Sequence, residues 1–252
     1  MFFLPLFDDN PTKSFPLITR TIILINVLIY FSQLTLSELQ LNNFYASFGF
    51  IPFDFFNSNN FFYLPVFTSL FVHGGFIHLA SNMLYLWIFG DNIEDRLGRS
   101  KFILFYFFGG FAASYFQALF EPNSLIPLIG ASGSIAAVLG AYLLIFPKAN
   151  IKVLFWFFIF LQIINVPAFL VLGVWIVGQF FSLESMVESN IAYVAHIGGF
   201  FTGIFLFLIF KNKQTKIFSE SKSKPFEKSN LRDMYTSSIY DRKRSSGIKK
   251  YD

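Results

Sequence analysis

The sequence predicts an all-α, polytopic membrane protein whose core is a bundle of six transmembrane helices with a long interfacial first external loop. Two observations carry this. The first is composition: 54% hydrophobic residues, 13% charged residues and 39 phenylalanines in 252 positions are too apolar for an ordinary water-soluble domain. The second is the spacing of positive charge. No Lys or Arg occurs between Arg20 and Arg96, between Lys101 and Lys148, or between Lys152 and Lys211.

A helix needs ~20 apolar residues to cross a bilayer, and the charge-free intervals divide into spans at about 17–36, 75–90, 102–120, 130–147, 166–182 and 191–210. Placing Lys13 and Arg20, then Arg96, Arg99 and Lys101, then Lys148 and Lys152, and lastly Lys211 onward in the cytoplasm makes every second loop external and both termini cytoplasmic. The stretch 151–165 is apolar, but with 14 residues from Ile151 to Ile164 it is too short to span. It reads as an interfacial segment. The first external loop, 37–72, is dense in aromatic rings, among them Phe44, Tyr45, Phe50, Phe55, Phe61 and Tyr63. Such rings anchor at the membrane interface.

Three regions follow: a cytoplasmic segment 1–16, a membrane domain 17–210, and a basic tail 211–252 expected to be disordered and cytoplasmic. The tail holds 12 Lys or Arg against five Asp or Glu, a net +7 that exceeds the +4 of the whole chain. The basic balance therefore implies contact with anionic lipid rather than nucleic acid. Segment 1–16 has no signal-peptide cleavage pattern, and Asp8-Asp9 is unlike a transit peptide. The chain has no cysteine, which excludes thiolate metal sites and a cysteine nucleophile. No cofactor and no metal site is expected. The absence of an internal repeat counts against a transporter built from inverted halves.

Polar residues inside spans are costly and so are candidates for function. His78 and Asn82 stand four apart in the second span, on one helix face. Alone they could simply bond neighbouring helices. His73, at the external end, suits a loop-holding role. Ser132 opens the fourth span in Gly130-Ala131-Ser132-Gly133, with Gly133, Ala136, Ala137, Gly140 and Ala141 forming a small-residue surface behind it. His196, Gly199 and Gly203 form one stripe of the sixth span, and Gly199-x-x-x-Gly203 is a helix-contact spacing. Ser132 and His196 both lie shallow at the external side. Depth and contact face together bring imidazole and hydroxyl to one place, a nucleophile and base without an orienting carboxylate, since no Asp or Glu lies within a span. The backbone N–H groups at the start of the fourth span, with His78 and Asn82, can serve as oxyanion donors.

The strings His73-Gly-Gly-Phe-Ile-His78-Leu-Ala-Ser-Asn82, Gly90-Asp91-Asn92-Ile93-Glu94-Asp95-Arg96-Leu97-Gly98, Gly130-Ala131-Ser132-Gly133 and Ala195-His196-Ile197-Gly198-Gly199, in this order, resemble the rhomboids, a family of intramembrane serine proteases. The resemblance covers roughly 17–210. It implies Ser132 as nucleophile, His196 as general base and acid, and His78, Asn82 and the Ser132 backbone as oxyanion donors. It also implies transmembrane proteins as substrates, cut near the external end of a helix, and a bacterial cytoplasmic membrane as the expected home. The segment 183–190, with Glu184 and Glu188, would be the cap that admits substrate. Many rhomboids carry a Trp-Arg pair where this chain reads Leu64-Pro65, so the resemblance does not supply the anchoring of the first loop.

Three rival classes are weighed against this. No His-Glu-x-x-His motif or intramembrane Asp supports a metallo- or aspartyl protease. A channel would continue its polar residues to the cytoplasmic side, whereas the inner half of the fourth span is apolar. A silent rhomboid-like protein that escorts membrane clients is the serious alternative, and retention of Ser132, His196, His78 and Asn82 together counts against it.

Overall fold

The computed structural model describes residues 2–10, 12–57, 64–157, 160–185, 191–213 and 215–218. The long apolar segments form α1 (Leu17–Gln33), α5 (Phe76–Leu97), α6 (Arg99–Phe120), α7 (Ser132–Ile145), α8 (Ala168–Phe181) and α9 (Tyr193–Phe210). Shorter helices α2 (Glu38–Phe48), α3 (Pro52–Asn57) and α4 (Pro65–Thr68) fill the loop after α1. Helix lengths differ from a uniform set of ~20-residue spans. By length and apolarity, Arg99–Phe120 and Tyr193–Phe210 could each cross a membrane. Leu17–Gln33, Ser132–Ile145 and Ala168–Glu184 are apolar but shorter.

Helix α7 is the centre of the bundle. Its Ile135 to Ala141 are all buried, with Tyr142 and Ile145 following, so it has no exposed stripe at all. A helix apolar on every side is stable only when surrounded, and α5, α6, α8 and α9 all pack against it. Outward-facing side chains of the neighbours are large and apolar, including Phe108 and Phe116 on α6, Val174 on α8 and Phe205 on α9. Apolar exteriors of this kind suit a lipid solvent.

The all-α expectation is corrected by a three-stranded antiparallel sheet, ordered β1 (Phe2–Asp8), β2 (Asn150–Phe157), β3 (Phe160–Pro167). The segment read as interfacial is thus a hairpin, and the segment read as a separate N-terminal region supplies its third strand. The physical reason is a period of two: Ile151 and Val153 are buried, while Lys152 and Leu154 are less so. Leu154, apolar on the less buried face, hides that alternation in the sequence. Asp8 docks the sheet on the bundle by accepting from Tyr142 Oη and Asn92 Nδ2, each at 2.8 Å. Burial, with Asp91 nearby, pushes the Asp8 carboxyl well above the usual carboxylate range.

The Gly90 to Gly98 string, part of the resemblance, folds as the end of α5 and the bend into α6. Glu94, 2% exposed, closes the start of α1: its carboxylate accepts from Ile18 N at 3.0 Å and from Thr19 N and Oγ1 at 2.8 Å. Those N–H groups have no partner within α1, and a carboxylate at a helix N-terminus also meets the positive end of its dipole. Asp95 accepts from Ser14 N and Oγ in the same way.

The first loop is anchored without a Trp-Arg pair. Phe50 and Leu128 exchange two backbone bonds at 2.9 and 2.8 Å, and Thr68 Oγ1 donates to Phe48 O at 2.8 Å. Phe50 is fully buried beside Val66 and Ala118, while Phe53 and Phe56 remain exposed. Pro65 opens α4, where its missing N–H costs nothing. Phe61, Phe62 and Tyr63 lie outside the described residues, as do Glu188 and most of the tail.

Glu94→Ala leaves the α1 donors unpaired, so thermal unfolding in detergent is expected to show a loss of about 1–3 kcal/mol for each unpaired buried group, with Glu94→Gln in between. Asp91, beside the docked sheet, has its carboxyl pushed up to about 7 by burial. Unfolded Asp ionises near 3.9, so this group's contribution to stability is fully present below that pH and is lost as pH rises toward about 7. Asp91→Asn is expected to flatten that part of the stability profile, measured as Tm against pH.

Candidate functional site

At the end of the bundle opposite the sheet, α5, α7, α8 and α9 bring their polar residues together. Ser132 is the first residue of α7, and His196 lies in the first turn of α9. His196 Nε2 stands 2.9 Å from Ser132 Oγ, and both residues are half-buried.

Small residues make this approach possible. A Cβ at Gly199 would strike the Gly133 carbonyl, one at Gly203 the Ala137 carbonyl, and one at Gly140 the Phe200 carbonyl. Helices α7 and α9 therefore touch backbone to backbone. On the other side of α7, a Cβ at Gly133 would lie 2.6 Å from Ala113 Cβ of α6. The first turn of α9 is pinned by buried Gln117 of α6, whose Oε1 accepts from Ala195 N at 3.1 Å.

Gly130 turns the chain into α7 with φ +120°, a conformation that side chains rarely adopt, and its N–H donates to Ser69 O at 2.9 Å. It packs on His78: a Cβ there would lie 2.7 Å from His78 Nε2 and 3.7 Å from Asn82 Nδ2. His78 and Asn82, one turn apart on α5, thus flank the approach to Ser132. Asn82 is 6% exposed and its Nδ2 is buried without a hydrogen-bond acceptor. An orphaned buried donor is costly unless it has work to do on a ligand. The N–H groups of the first turn of α7 lack intrahelical acceptors as well.

His73 holds the loop through its backbone, which Gln33 of α1 grips from both sides at 3.2 and 2.8 Å. Its ring, however, is fully buried edge-on to His78, with centroids 5.0 Å apart. Burial, reinforced by His78, holds it down at about 3, so the ring is neutral. It backs the His78 ring, a placement that its position at a loop end did not signal.

One residue of the site went unnoticed in the sequence. Gln179 of α8 places Oε1 2.7 Å from His196 Nδ1. A lone glutamine near the end of an apolar helix gives no spacing signal, because its partner lies on another helix. Among the described residues no group of three or more His, Asp or Glu could hold a metal ion.

The family model for the Rhomboid domain matches residues 61–213. The chain belongs to the rhomboid family. Similar proteins include the presenilin-associated rhomboid-like protein A, mitochondrial, of Danio rerio, 31% identical over 153 residues, which are 56% of this chain and 36% of that protein. Rhomboid protein 1, mitochondrial, of Saccharomyces cerevisiae is 31% identical over 152 residues, 56% of this chain and 40% of the relative. Rhomboid protease GluP of Bacillus subtilis is 33% identical over 138 residues, 55% of this chain and 24% of the relative. The chain spans less than half the length of these three proteins. Rhomboids are membrane-embedded; with mitochondrial proteins among these relatives, the expected bacterial cytoplasmic membrane is not supported.

Gly203→Val forces a branched side chain into the Ala137 backbone and is expected to cost about 1–3 kcal/mol or more by overpacking, moving His196 away from Ser132. Thermal unfolding in detergent checks the stability loss.

Proposed function

We propose that this chain is a serine endopeptidase that cleaves transmembrane segments of membrane proteins near their external end, through a Ser132–His196 dyad and an acyl-enzyme. The observation that carries the reading is the 2.9 Å approach of His196 Nε2 to Ser132 Oγ beside the unpaired Asn82 Nδ2.

The chemistry follows from these atoms. His196 Nε2 takes the Ser132 hydroxyl proton as Oγ attacks the scissile carbonyl carbon. Negative charge builds on the former carbonyl oxygen, where the Ser132 N–H, Asn82 Nδ2 and the His78 ring can donate. The imidazolium returns its proton to the departing amine, leaving an ester on Ser132. Water then gives a proton to His196 and attacks the ester carbon; the bond to Ser132 Oγ breaks, the imidazolium returns the proton to Oγ, and the new carboxyl group departs. No carboxylate is required at any step.

The membrane placement belongs to the same reading. Six spans with both termini on the cytoplasmic side put Ser132, His196, His78 and Gln179 at the external end, with Lys101, Lys152 and the sheet at the other. Helix α7 has 14 residues, about 21 Å at 1.5 Å per residue, against a hydrocarbon core of ~30 Å. Its N-terminus therefore sits below the membrane surface. A substrate must bring its bond down to Ser132, and water must follow.

The test uses purified full-length protein in detergent, a fluorophosphonate probe and a model transmembrane substrate. Labelling and cleavage are expected in the wild type and in neither Ser132→Ala nor His196→Ala. Labelling that persists in Ser132→Ala, or a wild type that neither labels nor cleaves, would sink the reading and favour a client-binding protein. In the same assay Asn82→Ala and His78→Ala are expected to keep the fold and lower kcat, by roughly 10²–10³ where a full oxyanion donor is lost.

A further inference from the structure

A base that must accept a proton on Nε2 needs its other nitrogen protonated, and something must hold that tautomer. A buried carboxylate does this in a Ser-His-Asp triad. Here the position is taken by an uncharged amide. Gln179 Oε1 lies 2.7 Å from His196 Nδ1, and Gln179 Nε2 donates to Trp175 O, one turn back on α8, at 3.3 Å. The second bond decides the first. With the amide nitrogen committed to a carbonyl, the atom facing His196 is an acceptor, so Nδ1 carries the hydrogen and Nε2 presents its lone pair to Ser132. The Trp175 ring, centroid 5.9 Å away and tilted 37°, and the Tyr193 ring, at 6.4 Å and 87°, close the imidazole in from two sides.

We infer that Gln179 is the positioning residue for His196, fixing its tautomer and ring direction in place of a carboxylate. The inference rests on the protease reading for its catalytic consequence, but the contact itself is independent of activity. Its chemical meaning differs from that of an aspartate. An amide dipole orients the ring yet offers the imidazolium no full negative charge, so the base stays weaker and remains unprotonated at lower pH than it would beside a carboxylate. Among the described residues the titratable groups around the imidazole are Tyr193 on its own helix and His78 on α5.

Two measurements on the full chain in detergent test this. The first is ¹⁵N NMR of the histidine-labelled protein, with the His196 signals assigned by their loss in His196→Ala. The Nδ1–H tautomer is expected to dominate in the wild type and to lose that dominance in Gln179→Leu. The second is kcat and KM across pH for wild type, Gln179→Leu and Gln179→Glu, with Ser132→Ala as the blank. Gln179→Leu is expected to lower kcat about tenfold or more with little change in KM. Gln179→Glu is expected to restore turnover and move the acid limb of kcat/KM to higher pH, because a carboxylate on Nδ1 favours the imidazolium. A wild-type His196 that is chiefly Nε2–H, a Gln179→Leu enzyme with unchanged kcat, or a Gln179→Glu profile lying on that of wild type would each overturn the inference. If Gln179→Leu fails to fold, the wild-type tautomer and the Gln179→Glu profile decide alone. A wild type with the expected tautomer but no Ser132-dependent turnover would refute the protease reading and leave the contact standing.

Discussion

The site depends on a contact in which no side chain takes part. Along α7 and α9, glycines face carbonyl groups: Gly203 against Ala137, Gly199 against Gly133, Gly140 against Phe200. A hydroxyl on one helix can reach an imidazole on another only if the two axes run unusually close, since serine has a single carbon of reach. The glycines therefore do for the site what a longer side chain at position 132 could do for itself. Within a bilayer there is little hydrophobic force between helices, so the close approach is also a main source of packing energy. The same atoms hold the bundle together and set the distance between Ser132 and His196.

Around that seam the rest of the molecule supplies direction. Gln117 fixes where α9 begins, Glu94 fixes where α1 begins, and the Gly130 turn lays the entry to α7 against His78. Gln117 and Glu94 are polar side chains that each close the open end of a helix, where an unclosed end is expensive. Placement of the site and satisfaction of the helix ends thus use the same kind of bond. Asn82 Nδ2 stands apart as a buried donor with nothing to donate to.

What the sequence revealed, and what it concealed, follows from how each feature pays for itself. Ser132, His196, His78 and Asn82 were legible because polar groups in apolar spans must be explained, and because i, i+3, i+4 and i+7 spacings place them on faces without knowledge of the fold. The helices were legible from charge-free length. The sheet was not. Apolar residues stand at both inward and outward positions of its strands, and β1 recognises a partner that no local pattern names. Gln179 was hidden for a different reason: its meaning lies wholly in a cross-helix bond, and one amide near the end of an apolar helix has no periodicity. The Leu64-Pro65 departure concerned anchoring, and backbone pairing of Phe50 with Leu128 supplies that anchoring invisibly, since main-chain bonds leave no residue signature.

The order of the sheet sets a schedule for assembly. Strand β1 pairs with β2 across roughly 150 residues of intervening chain, a separation that makes pairing slow relative to local helix formation. During synthesis β1 leaves the ribosome before α1, while its partner emerges only after the helices through α7 have been made. Residues 2–8 must wait unpaired until then. Asp8 reaches Tyr142 and Asn92 only once α5 and α7 stand side by side, so sheet closure acts as a latch that engages after the helices holding Ser132, His78 and Asn82 are in place.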